Sequence, residues 1–245
     1  MPLIEATKSI LRRWPWARNL KMDFEVRAGR GLLVPPAELQ GRYQAALATL
    51  SAGGGEVGDY LEFGVFNGTS MLCMHRALLK AGLVHPRLVG FDSFEGMPTQ
   101  SADEDNGVWK PGQFFSSLEY TRARLSREGV DWKRTHLIKG WFSETATPET
   151  ARRLKLQKAG VIMIDCDLYS STVDALLFCE PLIRDRAVIF FDDWHWGSLA
   201  EQGLGERRAF DEFLARHTDI EAGPFESYGE SSVAFLLTRR APEAD

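Results

Sequence analysis

The sequence lacks several features that mark particular classes of protein. Its apolar runs, such as 161–164 and 187–191, are far shorter than the roughly 20 residues of a transmembrane helix, so we expect no membrane partner. Cysteine occurs three times without a C-x-x-C pair, which disfavours disulfides and zinc and fits reduced thiols in the cytoplasm. Basic residues are not in excess, with 29 Lys and Arg against 34 Asp and Glu. We therefore expect no nucleic-acid partner.

The pattern along the chain predicts a doubly wound α/β fold. Of the 245 residues, 44% are hydrophobic and 26% charged, which is typical of a folded domain. Short β-branched and apolar runs alternate with segments of helical period, as in a mainly parallel sheet covered on both faces. Predicted strands are 60–65, 88–91, 135–138, 161–164 and 188–191, and an antiparallel hairpin of 220–228 and 232–238 completes a seven-stranded sheet. Predicted helices are 70–81, 118–128, 148–157, 172–184 and 206–217.

Two regions fall outside this alternating core. Residues 1–50 are predicted to form an N-terminal helical or lid segment, and residues 51–245 the main domain with an insertion at 93–115. Residues 3–13 have the pattern of an amphipathic helix. Because the first thirty residues lack the apolar stretch and cleavage site of a secretory signal, we expect a cytoplasmic protein. A long insertion usually serves as a lid or binding loop, and the alternative is a mobile surface loop.

A glycine-bearing turn follows the first predicted strand. Gly64 and Gly68 would let a ligand approach the backbone, and the next helix would offer free N–H groups to an anion. The spacing is G-x-x-x-G rather than G-x-G-x-x-G, so the close pyrophosphate approach of NAD or FAD is not encoded. The turn suits a nucleoside ligand without a pyrophosphate, although a plain tight turn would need the same glycines.

An acid ends the second predicted strand. At this position Asp92 would lie beside the first turn and can accept hydrogen bonds from both hydroxyls of a ribose. The alternative is that Asp92 caps its own turn through Ser93.

Four carboxylates follow the fourth and fifth predicted strands. These are Asp165, Asp167, Asp192 and Asp193. The carboxyl ends of neighbouring parallel strands meet at one edge of the sheet, so the four groups should converge. Two such charges 4 Å apart repel by about 4 kcal/mol at an effective dielectric near 20, which calls for protons or a cation. Ligands of this type select a hard ion, with Mg²⁺ first and Mn²⁺ or Ca²⁺ as alternatives, unless one or two of the acids cap helices.

Two further residues near the acids have open roles. His195 lies between Trp194 and Trp196, where it could act as a base, contact the substrate or be a structural hydrogen-bonding residue. Cys166 has neither a basic neighbour nor a second cysteine, so we interpret it as a packing residue.

Five segments, in this order, resemble one family of enzymes. They are EFGVFNG at 62–68, GFDSFEGMP at 90–98, KGWFSET at 139–145, IDCDLYSST at 164–172 and DD at 192–193. The resemblance is to the macrocin and mycinamicin sugar O-methyltransferases, the TylF/MycF family of class I S-adenosylmethionine-dependent methyltransferases. It covers residues 33–237, and its specificity comes from the second and fourth segments rather than from the glycine turn.

The resemblance implies S-adenosyl-L-methionine and Mg²⁺ as cofactors and assigns roles to residues. Asp165, Asp192 and Asp193 would hold Mg²⁺, Asp167 would be the general base, and His195 is a second catalytic candidate. Asp92 would bind the cofactor ribose. The expected cofactor-binding residues are Glu62, Gly64, Val65, Phe66, Gly68, Thr69, Ser70, Asp92, Ser93, Gly140, Trp141, Phe142 and Asp165.

The sequence also departs from the families it resembles. The first turn usually reads Trp-Arg-Gly-Gly, where this chain has FNGT at 66–69, and the acid pair is usually followed by Tyr, where this chain has Trp194. We therefore expect the acceptor-binding side of the site to differ from that of the family, with residues 194–196 bordering the substrate. In the similar catechol methyltransferases a lysine three residues after the first metal ligand is the base. Leu168 stands there, so Asp167 must take that role or the base lies elsewhere.

These inferences predict an O-methyltransferase dependent on S-adenosylmethionine and Mg²⁺. Its acceptor would be a sugar hydroxyl of a glycosylated natural product or a nucleotide sugar, as in antibiotic biosynthesis, and the enzyme would be a homo-oligomer. The alternatives are a catechol- or phenol-directed O-methyltransferase and a non-catalytic S-adenosylmethionine-binding protein. An NAD-dependent dehydrogenase is disfavoured by the missing G-x-G-x-x-G.

Overall fold

The computed structural model describes Phe24 and residues 35–240, and a seven-stranded sheet forms its centre. The strands are β1 (Asp59–Phe63), β2 (Leu88–Asp92), β3 (Thr135–Lys139), β4 (Ala159–Ile164), β5 (Arg186–Phe191), β6 (Ile220–Phe225) and β7 (Val233–Arg239). Their order across the sheet is β3-β2-β1-β4-β5-β7-β6. Strands β1 to β5 are parallel, whereas β7 is antiparallel to both β5 and β6. The predicted fold, including the terminal antiparallel hairpin, is confirmed.

Helices cover both faces of this sheet. They are α1 (Pro36–Ser51), α2 (Thr69–Lys80), α3 (Leu118–Arg127), α4 (Phe142–Thr145), α5 (Pro148–Leu154), α6 (Tyr169–Cys179) and α7 (Gly205–Arg216). Side-chain caps define two of the starts: Ser117 accepts from the amide of Tyr120 before α3, and Thr147 accepts from the amide of Thr150 in α5. Within the described part of the chain, no helix is long and apolar enough to cross a membrane.

Helix α6 differs most from its predicted bounds of 172–184. It begins earlier, at Tyr169, and ends at Cys179, where Glu180–Leu182 forms a short 3-10 turn. Pro181 lacks the backbone N–H that an α-helix would need there, so the chain leaves the helix. The one-turn helix α4 was not predicted, and the insertion contains two further 3-10 turns, Thr99–Ala102 and Asp105–Gly107.

The core lies on both faces of the sheet because alternate strand residues point in opposite directions. In β1, Leu61 and Phe63 join the apolar cluster that includes residues of α6 and α7, whereas Tyr60 joins the cluster that includes α1 and α2. Helix α1 belongs to the core, since Leu39 and Tyr43 on it are fully buried. The predicted helix at 3–13 lies outside the described residues, so the lid assignment remains a prediction.

The sheet order places one crevice at the centre of its carboxyl edge. Strand β1 has β2 on one side and β4 on the other, so connections leave this point toward opposite faces. The residue after each strand remains bonded to its neighbour: the amide of Asp165 donates to Phe63 at 2.9 Å, and that of Asp192 to Ile164 at 3.0 Å. Gly64, Asp165 and Asp192 therefore stand side by side at the same edge.

Candidate active site

An open cavity lies at this carboxyl edge. The predicted site residues that line it are Gly64, Asp92, Ser93, Gly140, Trp141, Phe142, Asp165 and Asp167. Residues that line it without having been predicted are Gly96, Met97, Pro98, Phe114, Cys166 and Ser171. The structure thus brings the ends of four strands and the predicted insertion around one space.

The remaining predicted cofactor residues surround the first turn but are not part of the cavity lining. They are Glu62, Val65, Phe66, Gly68, Thr69 and Ser70. Gly64 is the residue of this turn that faces the cavity, with φ 97°. A Cβ atom there would lie 1.6 Å from the carbonyl oxygen of Asp165, so only glycine fits between β1 and the loop after β4.

Helix α3 supports the first turn from behind, a role that sequence reasoning missed. The hydroxyl of Thr121 donates to the carbonyl oxygen of Phe66 at 2.6 Å, and Nη1 of Arg124 donates to that of Asn67 at 2.6 Å. Phe66 has φ 48°, a left-handed conformation that costs free energy for a residue with a side chain. These hydrogen bonds help to hold the turn in this conformation.

Glu62 lies fully buried in the middle of β1. Its carboxyl group accepts a hydrogen bond from the hydroxyl of Tyr60 at 2.8 Å and another from the hydroxyl of Ser70. Burial raises the pKa of Glu62 from 4.5 to about 8, against the lowering effect of these hydrogen bonds. Glu62 therefore braces the first turn through Ser70 rather than facing the cavity.

Asp92 both lines the cavity and binds backbone. Its Oδ2 accepts from the amide of Phe66 at 2.7 Å, and its Oδ1 accepts from the amide of Phe94 at 2.5 Å. Burial raises the pKa of Asp92, and these hydrogen bonds oppose the rise. The carboxylate thus caps its own turn, as one reading predicted, although through Phe94 rather than Ser93. The amide of Val65 also lowers the pKa of Asp92 as a third backbone donor, and a carboxylate has about four acceptor positions, which leaves one for a ligand.

The carboxylates after β4 and β5 converge next to this cavity. Oxygen atoms of Asp165, Asp192 and Asp193 all lie within 4.8 Å of one another. Burial raises the pKa of Asp165 well above its usual range, and the neighbouring charges of Asp192 and Asp167 add to the rise. Glu206, at the start of α7, joins the cluster: its Oε2 accepts the amide of Asp193 at 3.1 Å.

Asp167 occupies a tight turn between β4 and α6. Its φ is 68°, and the amide of Leu168 donates across the turn to the carbonyl oxygen of Cys166 at 2.7 Å. Burial raises the pKa of Asp167 to about 7, opposed by a side-chain hydrogen bond with Asp193. Asp167 is thus beside the three clustered carboxylates and also lines the cavity.

The donor set fits a hard divalent cation. Asp193 Oδ2 and Glu206 Oε1 are buried and form no hydrogen bond with any residue that the structure describes. Asp192 Oδ1 is satisfied, because the hydroxyl of Tyr228 donates to it at 2.6 Å. Buried carboxylate oxygens without partners are unfavourable unless protons or a metal compensate. Such oxygen ligands are those that Mg²⁺ prefers.

The three residues after the acid pair separate in space. Trp194 is buried and packs against Phe191 and Phe210, so it belongs to the core instead of bordering a substrate as expected. His195 is half-exposed, with Nδ1 2.9 Å from Glu201 Oε1, and does not line the cavity. Trp196 is half-exposed and stacks on Trp109 of the insertion, with ring centroids 6.0 Å apart.

Solved structures define the class of fold. The O-methyltransferase NovP matches with a TM-score of 0.66 at 19% identity, covering 83% of this chain and 79% of that chain. An O-methyltransferase from Bacillus cereus in complex with SAH matches with a TM-score of 0.59 at 16% identity, covering 91% of each chain. At such identities the likeness shows the fold alone, which is that of the Rossmann-like methyltransferases.

The family follows from the sequence match. The family described as Macrocin-O-methyltransferase (TylF) matches residues 41–222, and the chain belongs to this family. The resemblance predicted from the five motifs is confirmed.

Two curated relatives are named as O-methyltransferases. The 8-demethyl-8-(2,3-dimethoxy-alpha-L-rhamnosyl)-tetracenomycin-C 4'-O-methyltransferase of Streptomyces olivaceus is 34% identical over 151 residues, 57% of this chain and 54% of that protein. The mycinamicin III 3''-O-methyltransferase of Micromonospora griseorubida is 29% identical over 150 residues, 57% of this chain and 56% of that protein. The matched region is therefore little more than half of each relative.

Proposed function

We propose that the protein is an S-adenosylmethionine- and Mg²⁺-dependent O-methyltransferase that acts on a sugar hydroxyl of a glycosylated natural product or a nucleotide sugar. The observation that carries this proposal is the meeting of two features at one sheet edge. A cavity bordered by Gly64 and Asp92 leads directly to the cluster of Asp165, Asp192 and Asp193.

The cavity suits S-adenosylmethionine. At one wall, Gly64 exposes backbone, and Asp92 presents carboxylate oxygens suited to ribose hydroxyls. At another wall, Trp141 and Phe142 offer aromatic surface to a flat base.

Mg²⁺ would be held by Asp165, Asp192 and Asp193. When bound, such an ion supplies positive charge that lowers the pKa of a nearby alcohol. Tyr228 orients Asp192 through its hydroxyl, and Glu206 orients the backbone of Asp193. These supporting contacts resemble the outer shell that directs the ligands of metal sites in proteins.

Asp167 is the proposed general base. S-adenosylmethionine would supply the methyl group to the acceptor oxygen, and a carboxylate oxygen of Asp167 would take the proton of that hydroxyl. Because a bound cation would lower the pKa of the alcohol, a carboxylate beside it can accept the proton. His195 remains a weaker candidate, since its ring lies outside the cavity lining.

The sugar acceptor is supported by the relatives. One relative is named as an O-methyltransferase of a rhamnosyl-tetracenomycin, and another as an O-methyltransferase of mycinamicin III. A role in antibiotic biosynthesis follows from the same comparison. Vicinal sugar hydroxyls also offer two adjacent oxygens to one cation, which fits a carboxylate-rich site.

Labelled S-adenosylmethionine tests the proposal directly. The enzyme would be incubated with a deoxysugar glycoside, a nucleotide deoxysugar and catechol, each with Mg²⁺ and after exhaustive chelation. Label in a sugar that depends on Mg²⁺ supports the proposal. Full transfer after chelation would contradict the requirement for Mg²⁺. Calorimetric binding of S-adenosylhomocysteine without transfer to any acceptor would favour a non-catalytic binding protein.

An aromatic acceptor is the second candidate function. Trp196 follows the acid pair closely and exposes about half of its surface while its ring stacks on Trp109. Such an exposed indole face can stack on a catechol or phenol ring. Transfer to catechol in preference to both sugars would favour this reading.

A cytoplasmic location and a homo-oligomeric state complete the proposal. Cys73, Cys166 and Cys179 are all buried free thiols, which fits a reducing compartment. Homo-oligomer formation remains a prediction, and light scattering on the purified protein would test it.

A further inference from the structure

The insertion at 93–115 is fastened to two helices by one acid. Asp105 is buried, and its two carboxylate oxygens accept hydrogen bonds from two different chain segments. Oδ2 accepts the amide of Tyr169, the first residue of α6, at 2.9 Å. Oδ1 accepts the amide of Gly205, the first residue of α7, at 3.0 Å. A single carboxylate therefore joins the starts of α6 and α7.

Both helix starts depend on an acceptor from elsewhere in the chain. The N-cap residues of α6 and α7 are Leu168 and Leu204, whose side chains cannot accept a hydrogen bond. The first amides of a helix need such acceptors, and the positive end of the helix dipole favours a carboxylate. Asp105 supplies that group to both helices and adopts a left-handed conformation with φ 48° to do so.

These two helix starts are next to the two halves of the acid cluster. Asp167 lies two residues before Tyr169, in the turn that leads into α6. Glu206 follows Gly205 directly and accepts the amide of Asp193 at 3.1 Å. The link through Asp105 therefore connects the loop that carries Asp167 with the group that orients Asp193.

We propose that Asp105 is a positioning residue that fixes the position of Asp167 relative to Asp193. This rests on the proposed function for its catalytic consequence. Asp105 does not line the cavity, and the cofactor turn has separate supports in Thr121 and Arg124. Loss of Asp105 should therefore lower kcat while leaving cofactor affinity intact.

The experiment compares three variants of the full chain. Asp105→Asn removes the charge and one acceptor oxygen. Glu104→Ala removes the neighbouring acid, which accepts from Ser170 of α6, through its amide at 2.8 Å and its hydroxyl at 2.9 Å. Asp103→Asn changes the charge of an exposed acid in the same insertion and is the matched control.

The readouts are hydrogen exchange, cofactor affinity and turnover. In Asp105→Asn we expect amides at the start of α6, of α7 or of both to exchange roughly tenfold faster, because the asparagine side chain keeps a single acceptor oxygen for two helix starts. We expect kcat to fall roughly 10- to 100-fold, as for outer-shell partners of a site, with S-adenosylhomocysteine affinity within about twofold of wild type. Glu104→Ala should speed exchange only at α6 and lower kcat less, and Asp103→Asn should match wild type.

Two results would overturn the proposal. One is unchanged exchange at the starts of both α6 and α7 in Asp105→Asn. The other is a loss of S-adenosylhomocysteine affinity as large as the loss of kcat, which would indicate general structural damage. If Asp105→Asn does not fold, the exchange pattern of Glu104→Ala decides. Faster exchange at the starts of both α6 and α7 in Glu104→Ala would contradict the proposal that Asp105, and not Glu104, holds the start of α7. Hydrogen exchange is measured without a methyl-acceptor substrate. A failure of the proposed function would therefore appear only as a lack of turnover by the wild-type protein.

Discussion

The two ends of the cavity differ in how completely their polar groups are satisfied. At the cofactor end, Asp92 accepts two backbone amides, and the turn carbonyls accept from Thr121 and Arg124. At the acid end, oxygens of Asp193 and Glu206 are buried without a hydrogen bond from any part of the chain that the structure describes. The first end is preorganised by the protein alone, whereas the second needs protons or a cation to complete it.

The largest expected effect separates chemistry at the acid end from binding at the cofactor end. Asp167→Asn keeps shape and removes basicity, so kcat should fall by about 10²–10⁴, the usual contribution of general acid–base catalysis. Affinity for S-adenosylhomocysteine should stay near that of wild type. Steady-state kinetics and calorimetry measure the two quantities.

Two variants serve as controls for this experiment. Asp165→Asn should weaken metal binding instead, and added Mg²⁺ should partly restore its activity. Near-normal kcat in Asp167→Asn, together with loss of kcat in His195→Ala, would transfer the base to His195.

A second prediction concerns Glu62, which braces the cofactor turn in its neutral form. Its pKa is about 8 in the folded protein against 4.5 ordinarily, so its contribution to stability is complete below pH 4.5 and is lost as the pH rises to about 8. The loss is on the order of 4 kcal/mol. Glu62→Gln should abolish this part of the pH dependence, as measured by denaturant unfolding with a chelator present.

The second prediction is decided by the difference in the free energy of unfolding between wild type and Glu62→Gln, measured from pH 4.5 to 8. The acids of the cluster are present in both proteins, so the difference reports Glu62 together with its smaller effect on the pKa of Asp165. A constant difference from pH 4.5 to 8 would mean that Glu62 ionises normally.

The third prediction tests whether the acid end is incomplete without a cation. Mg²⁺ should stabilise the folded protein by about 2.7 kcal/mol at a concentration one hundred times its dissociation constant. Thermal unfolding measures the shift. Asp193→Asn should abolish the shift, whereas Asp103→Asn, at an exposed position of the insertion, should keep it. An equal shift in all three proteins would contradict specific binding.

The smallest expected effect lies at the cofactor end. Asp92→Ala removes a charged acceptor and should cost roughly 1.5–3 kcal/mol of S-adenosylhomocysteine affinity. Calorimetric titration measures it. Glu95→Gln, an exposed acid in the same loop, is the control and should bind as wild type does. Unchanged affinity in Asp92→Ala would place the ribose elsewhere.

Much of the fold was predictable because its signals are local. Alternation of apolar runs with helical segments identified the strands, and the acids directly after β4 and β5 had to meet at one edge of a parallel sheet. Local signals were weaker at element ends. Helix α6 begins at Tyr169 because Asp105 supplies a distant acceptor, which no neighbouring residue indicates.

The sequence by itself determined the seven-stranded α/β fold, its family and the residues that converge as Asp165, Asp192 and Asp193. Only the tertiary structure decided which side chains complete and support the site. Glu206 had the pattern of an ordinary acid in the first turn of a helix, and Asp105 that of a loop acid. Their partners depend on contacts between residues far apart in the chain, such as Asp105 with Gly205. Sequence spacing predicts which strand ends share an edge, but packing of helices and loops over that edge sets which groups are buried without a partner.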